Sequence, residues 1–172
     1  TIAEPFLQTN SDGDIEHIDD RKRLNSHKLI EEFMLAANIS AADFISQYAK
    51  EGVYRIHEHP ESLKIQRLSQ VLKNRGINWN GNIEDIENIS EFILKLNKRD
   101  DAPILNMLIL QSMQRAEYST LNKGHFGLKF DKYTHFTSPI RRYPDLLVHR
   151  IIISILNREE FNYDDLQLTL ED

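Results

Sequence analysis

Apolar residues recur along the chain with two periods. From Phe6 to Ile18 they alternate with polar ones around Asp12-Gly13, which predicts a β-hairpin: Phe6 to Gln8, a turn, then Ile15 to Ile18. From Asn25 or Ser26, either able to cap a helix, the period lengthens. Leu29, Phe33, Ala36, Ala37, Ser40 and Phe44 share one face of a helix running to about Ala49. Its other face carries Glu31, Leu35, Asn38 and Ala42, so the helix is apolar nearly all round and is expected to be deeply buried. Glu31 and Asn38, two turns apart, would then face inward together. A buried carboxylate is rare without a partner, which leaves Glu31 between a structural ion pair and a functional role.

Val53 to His57 suits a short strand ended by Pro60. His57 and His59 form an H-x-H pair on one side of it, but no third ligand is evident, and an unliganded pair is the better reading. Three helices are predicted next: about Glu61 to Asn74, stopping at Gly76; about Ile83 to Leu96; and Ala102-Pro103 to about Arg115, whose ILNMLILQSM run reads as core. Trp79, in the polar loop NRGINWNGN, reads as a packing residue. The predicted class is α+β with more helix than strand.

Texture then changes. In AEYSTLNKGHFGLKFDKYTHF, aromatics, glycines and lysines interleave, which suits strand and loop. Rings that stack on bases and cations that meet phosphates also fit a single-stranded nucleic-acid surface. HFTSPIRRYPDLLVHR follows. Ser138-Pro139 is a good helix start, yet Pro144 forbids one continuous helix, so a tight turn over Ser138 to Tyr143 should precede a helix from Pro144 to about Asn157. Asp145 and His149, four apart, share a face there, and Asp145 stands in the first turn, where a carboxylate is favoured. The tail after Asn157 is acidic, with room for another helix near Tyr163.

The 172 residues suffice for one domain of ordinary size, and the formal net charge of -6 argues against a surface coated in nucleic acid or lying on an anionic membrane. The charge is unevenly spread. Between Lys123 and Arg150 six cations (Lys123, Lys129, Lys132, Arg141, Arg142, Arg150) stand against Asp131 and Asp145. There is no cysteine, which excludes disulfides and thiolate chemistry and is compatible with a reducing compartment. No apolar run approaches the ~20 residues of a membrane span. The first ten residues lack the pattern of a signal peptide, and the chain opens without Met, as though taken from something longer. At the Ser138–Tyr143 turn, backbone N–H groups and the forked guanidinium groups of Arg141 and Arg142 suit a phosphate; a structural arginine network is the competing reading.

The segment HFTSPIRRYPDLLVHR resembles the signature of the ribonuclease II/R family, the RNB-domain 3′→5′ exoribonucleases. HKLIEEFMLAANISAADF resembles the family's long helix with paired glutamates, and YRIHEHP its Tyr-Arg-Ile-His…Pro segment. NKGHFGLKFDKYTHFTSPIRRYPDL is similar to the ribonuclease R branch almost throughout. The resemblance runs in family order from Thr1 to about Leu156. It implies that the chain is one piece, the C-terminal half to two-thirds of an RNB catalytic domain, without the cold-shock and S1 domains and without the upstream aspartate cluster that binds Mg²⁺. The acidic DGDIEHIDD corresponds to a hairpin of the family, not to that cluster.

The resemblance further implies a metal-dependent, cytoplasmic enzyme that hydrolyses single-stranded RNA processively to nucleoside 5′-monophosphates. Its Mg²⁺ would be held outside this chain, none being expected in the fragment, which alone would be inactive. Arg141 matches the catalytic arginine at the scissile phosphate. The glutamate that contacts the terminal nucleotide falls in the pair Glu31 and Glu32, with Asn38 on the face of Glu31. Ser138, Arg142 and Tyr143 would line the RNA channel. A non-catalytic protein that keeps an RNA groove, and an unrelated helical interaction domain, are the alternatives.

Overall fold

The computed structural model describes residues 5–20, 24–79, 85–164 and 166. It divides into two compact units, residues 1–36 and 37–172, and the division falls within a helix.

The first unit holds the predicted hairpin. Strands β1 (Pro5–Thr9) and β2 (Ile15–Asp20) pair antiparallel, with a register shift between Gln8 and Thr9. Asn10 builds the turn: its side-chain oxygen accepts the N–H groups of Asp12 and Asp14 at 3.0 and 2.9 Å. Gly13 takes a φ of +88°, which explains glycine at that position. Helix α1 (Asn25–Tyr48) follows as one continuous element. Neither Asn25 nor Ser26 is its cap, as the sequence suggested. Asn25 is already helical, Lys28 N–H bonds back to the Leu24 carbonyl, and the ring of His27 accepts the Leu24 N–H.

The expected deep burial of α1 is corrected by the structure. Only Asn38, Ala41, Ala42 and Ile45 are buried, whereas Leu29, Ile30 and Phe33 are more than half exposed. An all-round apolar helix buries only the length that its neighbours cover, and the core residues on α1 all lie in its last three turns.

The second unit has two cores. The first joins Ala41 and Ile45 of α1, Val53, β3 (Tyr54–Ile56), Leu147, Val148 and Ile151 of α5 (Tyr143–Asn157), and Leu166. The second joins α2 (Ser62–Asn74), α3 (Ile86–Leu96), α4 (Ala102–Ser112) and Phe126. Its helices begin and end as sequence chemistry dictates. Gly76 adopts a φ of +70° just past α2, the Asp85 side chain caps α3 by accepting the Glu87 N–H, and Pro103 sits in the first turn of α4. Helix α4 stops at Ser112 rather than Arg115, because Met113 turns to extended backbone. The predicted start of α3 near Ile83 lies outside the described residues, as does most of the tail beyond Tyr163. Trp79 packs as expected, its ring stacked on Phe92 with centroids 4.7 Å apart.

Strand β3 pairs antiparallel with β4 (Glu117–Ser119). Helix-rich with short antiparallel pairs, the fold is α+β as predicted. Among the described residues no helix is long and apolar enough to cross a membrane.

Candidate nucleic-acid interface

Between Tyr133 and Arg142 the chain has no regular secondary structure, yet it crosses the first core fully ordered by side-chain bonds. Buried Tyr133 gives its carbonyl to the Arg55 N–H of β3 at 2.9 Å. The Thr134 hydroxyl donates to the Val53 carbonyl at 2.6 Å. Asn38 of α1, 4% exposed, spends both ends of its amide here: Nδ2 donates to the Tyr133 hydroxyl at 3.0 Å, and Oδ1 accepts the Phe136 N–H at 2.9 Å. From the other side, His149 Nε2 donates to the Phe136 carbonyl at 2.8 Å, and the two rings stack 4.0 Å apart.

Next comes the Ser138–Tyr143 turn, formed as Ser138-Pro139 and Pro144 predict. The Ser138 carbonyl accepts the N–H groups of Arg141 and Arg142 at 3.3 and 3.1 Å, and α5 begins at Tyr143 with Pro144 in its first turn. Asp145 closes the turn. Fully buried in the first turn of α5, it accepts the Ser138 N–H and an Arg142 Nη2–H on the same oxygen, Oδ2, at 2.8 Å each.

The two arginines therefore differ. Arg142 is about one-fifth exposed and paired with a buried carboxylate, so it belongs to the turn's own network. Arg141 is exposed and, among the described residues, its guanidinium has no hydrogen-bond or ion-pair partner. Since Asp145 offsets Arg142, the uncompensated charge of the turn is that of Arg141. Tyr143 is half exposed beside it, and Ile140 stands fully in solvent at the apex.

Behind the turn lies a group of rings and cations. The Arg55 guanidinium sits 4.6 Å from the centre of the Tyr118 ring, and the Tyr118 hydroxyl shares a 2.7 Å hydrogen bond with His135 Nδ1. Burial, reinforced by the Arg142 charge, lowers the His135 pKa to about 4; burial, reinforced by His57, does the same to His125. Both rings pack edge-on against Tyr133. Burial also raises the Tyr118 pKa above its ordinary value.

The structure thus gathers Asn38, Ser138 and Arg142 around one segment, with Arg141 and Tyr143 presented outward. Glu31 and Glu32 belong to the first unit and are exposed on α1, so the inward-facing pairing of Glu31 with buried Asn38 is also corrected. The histidine pair just past β3 is otherwise engaged: His57 Nδ1 accepts the Gly127 N–H at 3.0 Å, and His59 lies against Phe126. Among the described residues no group of three or more His, Asp or Glu could hold a metal ion. A polar cleft of about 720 Å³ opens between these histidines and the start of α3, but its two lysines, Lys123 and Lys129, pair with Glu58 and Glu87, and Arg141 does not line it. Sequence reasoning missed Asp145 as the partner of Arg142 and missed Thr134, and it counted Tyr133 among the interleaved aromatics of a binding surface, whereas it is buried. The i, i+3 spacing of Arg142 and Asp145 was the available signal.

The RNB domain family matches residues 2–158, and the chain belongs to that family. Ribonuclease R of Buchnera aphidicola is 41% identical over 147 residues, 85% of this chain and 20% of the relative's length. Among solved structures, Mycoplasma genitalium RNase R in complex with ribose-methylated single-stranded RNA superposes with a TM-score of 0.80 at 25% identity, over 99% of this chain and 27% of that one. Yeast Ssd1, a pseudonuclease, gives 0.72 at 26% identity, over 87% of this chain and 19% of that one. The chain therefore spans about a fifth of the curated relative it matches.

Proposed function

We propose that this chain is the C-terminal half to two-thirds of the catalytic domain of a longer cytoplasmic 3′→5′ exoribonuclease, which hydrolyses single-stranded RNA processively to nucleoside 5′-monophosphates. One observation carries the reading: an exposed, unpaired Arg141 on a turn fixed from behind, inside the span that matches the RNB family. A guanidinium held at such a place offsets charge that develops on a phosphate under attack. Either Glu31 or Glu32 holds the terminal nucleotide. Ser138, Arg142 and Tyr143 form part of the channel wall, and Asn38 contributes by holding the Tyr133–Phe136 segment.

In this reading Mg²⁺, when bound, would supply an activated water for hydrolysis of the last phosphodiester. The described residues of this chain do not fit that ion, so its ligands are assigned to the rest of the longer protein. By itself the chain is expected to leave RNA intact.

A second reading has a specific observation behind it, since the same fold occurs in a pseudonuclease. In that reading the protein binds RNA without cleaving it. Incubating the complete protein with a short single-stranded RNA and Mg²⁺ separates the two. Release of nucleoside 5′-monophosphates supports the exoribonuclease; intact RNA under conditions where it binds supports the alternative.

A further inference from the structure

Several features of the molecule invite a second role. The polar cleft lined by His57 is one, but its two lysines are already paired with Glu58 and Glu87. The exposed apolar residues of α1 are another, but nothing in the structure shows what covers them. The Asp145 carboxylate is different, because what it binds leads to a definite consequence.

One oxygen of Asp145 accepts two donors at the two ends of one turn, the Ser138 N–H and the Arg142 guanidinium. Arg141 lies between those ends, and its own N–H returns to the Ser138 carbonyl. The carboxylate stands on the first turn of α5, four residues before His149, which anchors Phe136 just upstream. The backbone that carries Arg141 is therefore tied to one rigid helix at three points. Among the described residues no side-chain hydrogen bond or ion pair holds Ile140 or Arg141, and both are exposed, Ile140 wholly.

We infer that Asp145 is a positioning residue: its bridge from Ser138 to Arg142 sets the place and direction of the Arg141 side chain. Asp145 itself touches no substrate. The inference rests on the exoribonuclease reading of Arg141. The chemistry asks for a carboxylate because one of the two donors on that oxygen is a guanidinium. An asparagine could still present its one oxygen to both donors, but a neutral amide weakens the bond to the guanidinium and leaves that charge without its counter-charge. Asp145→Asn should loosen the turn while leaving the fold and most of the RNA contacts in place. A misplacement of a charge-stabilising group by about 1 Å can cost on the order of 100-fold in rate.

The experiment uses the longer parent enzyme with three variants: Asp145→Asn, Arg142→Met, and both together. Single-turnover cleavage of a short RNA with Mg²⁺ gives the rate. Affinity is measured separately without metal, unfolding midpoints give stability, and hydrogen exchange of the peptide spanning residues 136–146 reads the turn. Asp145→Asn should slow cleavage by about 10- to 100-fold, leave affinity unchanged and speed exchange in that peptide. The double variant carries no buried guanidinium without its counter-charge, so its midpoint should return toward wild type while its rate stays low. If the double variant recovers rate along with stability, or if Asp145→Asn cleaves at the wild-type rate, Asp145 does not position Arg141. Should the wild-type parent release no nucleotides, the exoribonuclease reading itself fails; exchange then decides the bridge alone, and an unchanged turn in Asp145→Asn overturns it.

Discussion

The two cores of the second unit are built by different means. The α2–α4 core is held by Leu68, Leu72, Ile89, Phe92, Leu96, Leu105 and Ile109, on helices with conventional starts and stops. The core around β3 and α5 has comparable apolar residues but also encloses Asn38, Thr134 and Asp145, each bonded to a neighbouring chain segment. Burying polar groups is costly unless each finds a partner; on the α2–α4 side buried Ser112 bonds only within its own helix, to the Ile109 carbonyl, whereas Asn38, Thr134 and Asp145 reach other segments. What they add is direction. They fix a segment that no helix or strand holds, and that segment ends at Arg141.

If the longer protein is the exoribonuclease proposed above, Arg141→Ala in it should lower single-turnover cleavage by roughly 10²–10³, as removal of a charge-stabilising donor does, with RNA affinity measured without metal far less affected. Arg141→Lys should recover part of the loss, since the charge returns without the fork. An unimpaired Arg141→Ala would leave the polar core with no functional purpose.

Arg142→Ala tests the other half of the pair. It strips a fully buried carboxylate of its counter-charge and should destabilise by about 3–5 kcal/mol in denaturant unfolding. Its turnover per folded molecule should fall less than that of Arg141→Ala. Within the apolar core, Leu105→Ala should cost about 2–5 kcal/mol and leave turnover per folded molecule unchanged, because Leu105 is fully buried among residues that do not touch the turn.

Acid should act on the polar side selectively. His125 and His135, both against Tyr133, have folded pKa values near 4, below the ordinary 6.5. Between those values the unfolded chain takes up protons that the folded chain does not, so stability falls as pH drops from 6.5 toward 4 and levels off below. Hydrogen exchange should rise across residues 133–142 before it rises in α2–α4; the reverse order would contradict the assignment.

The local parts of this architecture were legible in the sequence. Asp12-Gly13 announced the hairpin, Gly76 the end of α2, and Ser138-Pro139 with Pro144 the turn ahead of α5, because each depends on backbone chemistry within a few residues. The partner of Arg142 was three residues away and still missed, since a first-turn aspartate already has a reason to be there in the helix dipole. Asn38 bonds to residues 95 and 98 positions away, which no periodicity reveals. Periodicity also misjudged α1. It reports that a helix is apolar, not how much of its length neighbours cover.

Trp79 turns the contrast between the cores into something that can be watched. It is the only tryptophan of the chain, and it stacks on Phe92 in the apolar core. Indole emission is therefore a private signal of the α2–α4 side, silent about the bonds around Asp145. Far-ultraviolet circular dichroism sums helices from both. Followed together through a denaturant titration, the two signals say whether the cores melt as one. Coincident curves would mean that the backbone bonds joining His57 to Gly124 and Phe126 couple them fully; a lag would measure how far the side that carries Arg141 can loosen while the other stays intact.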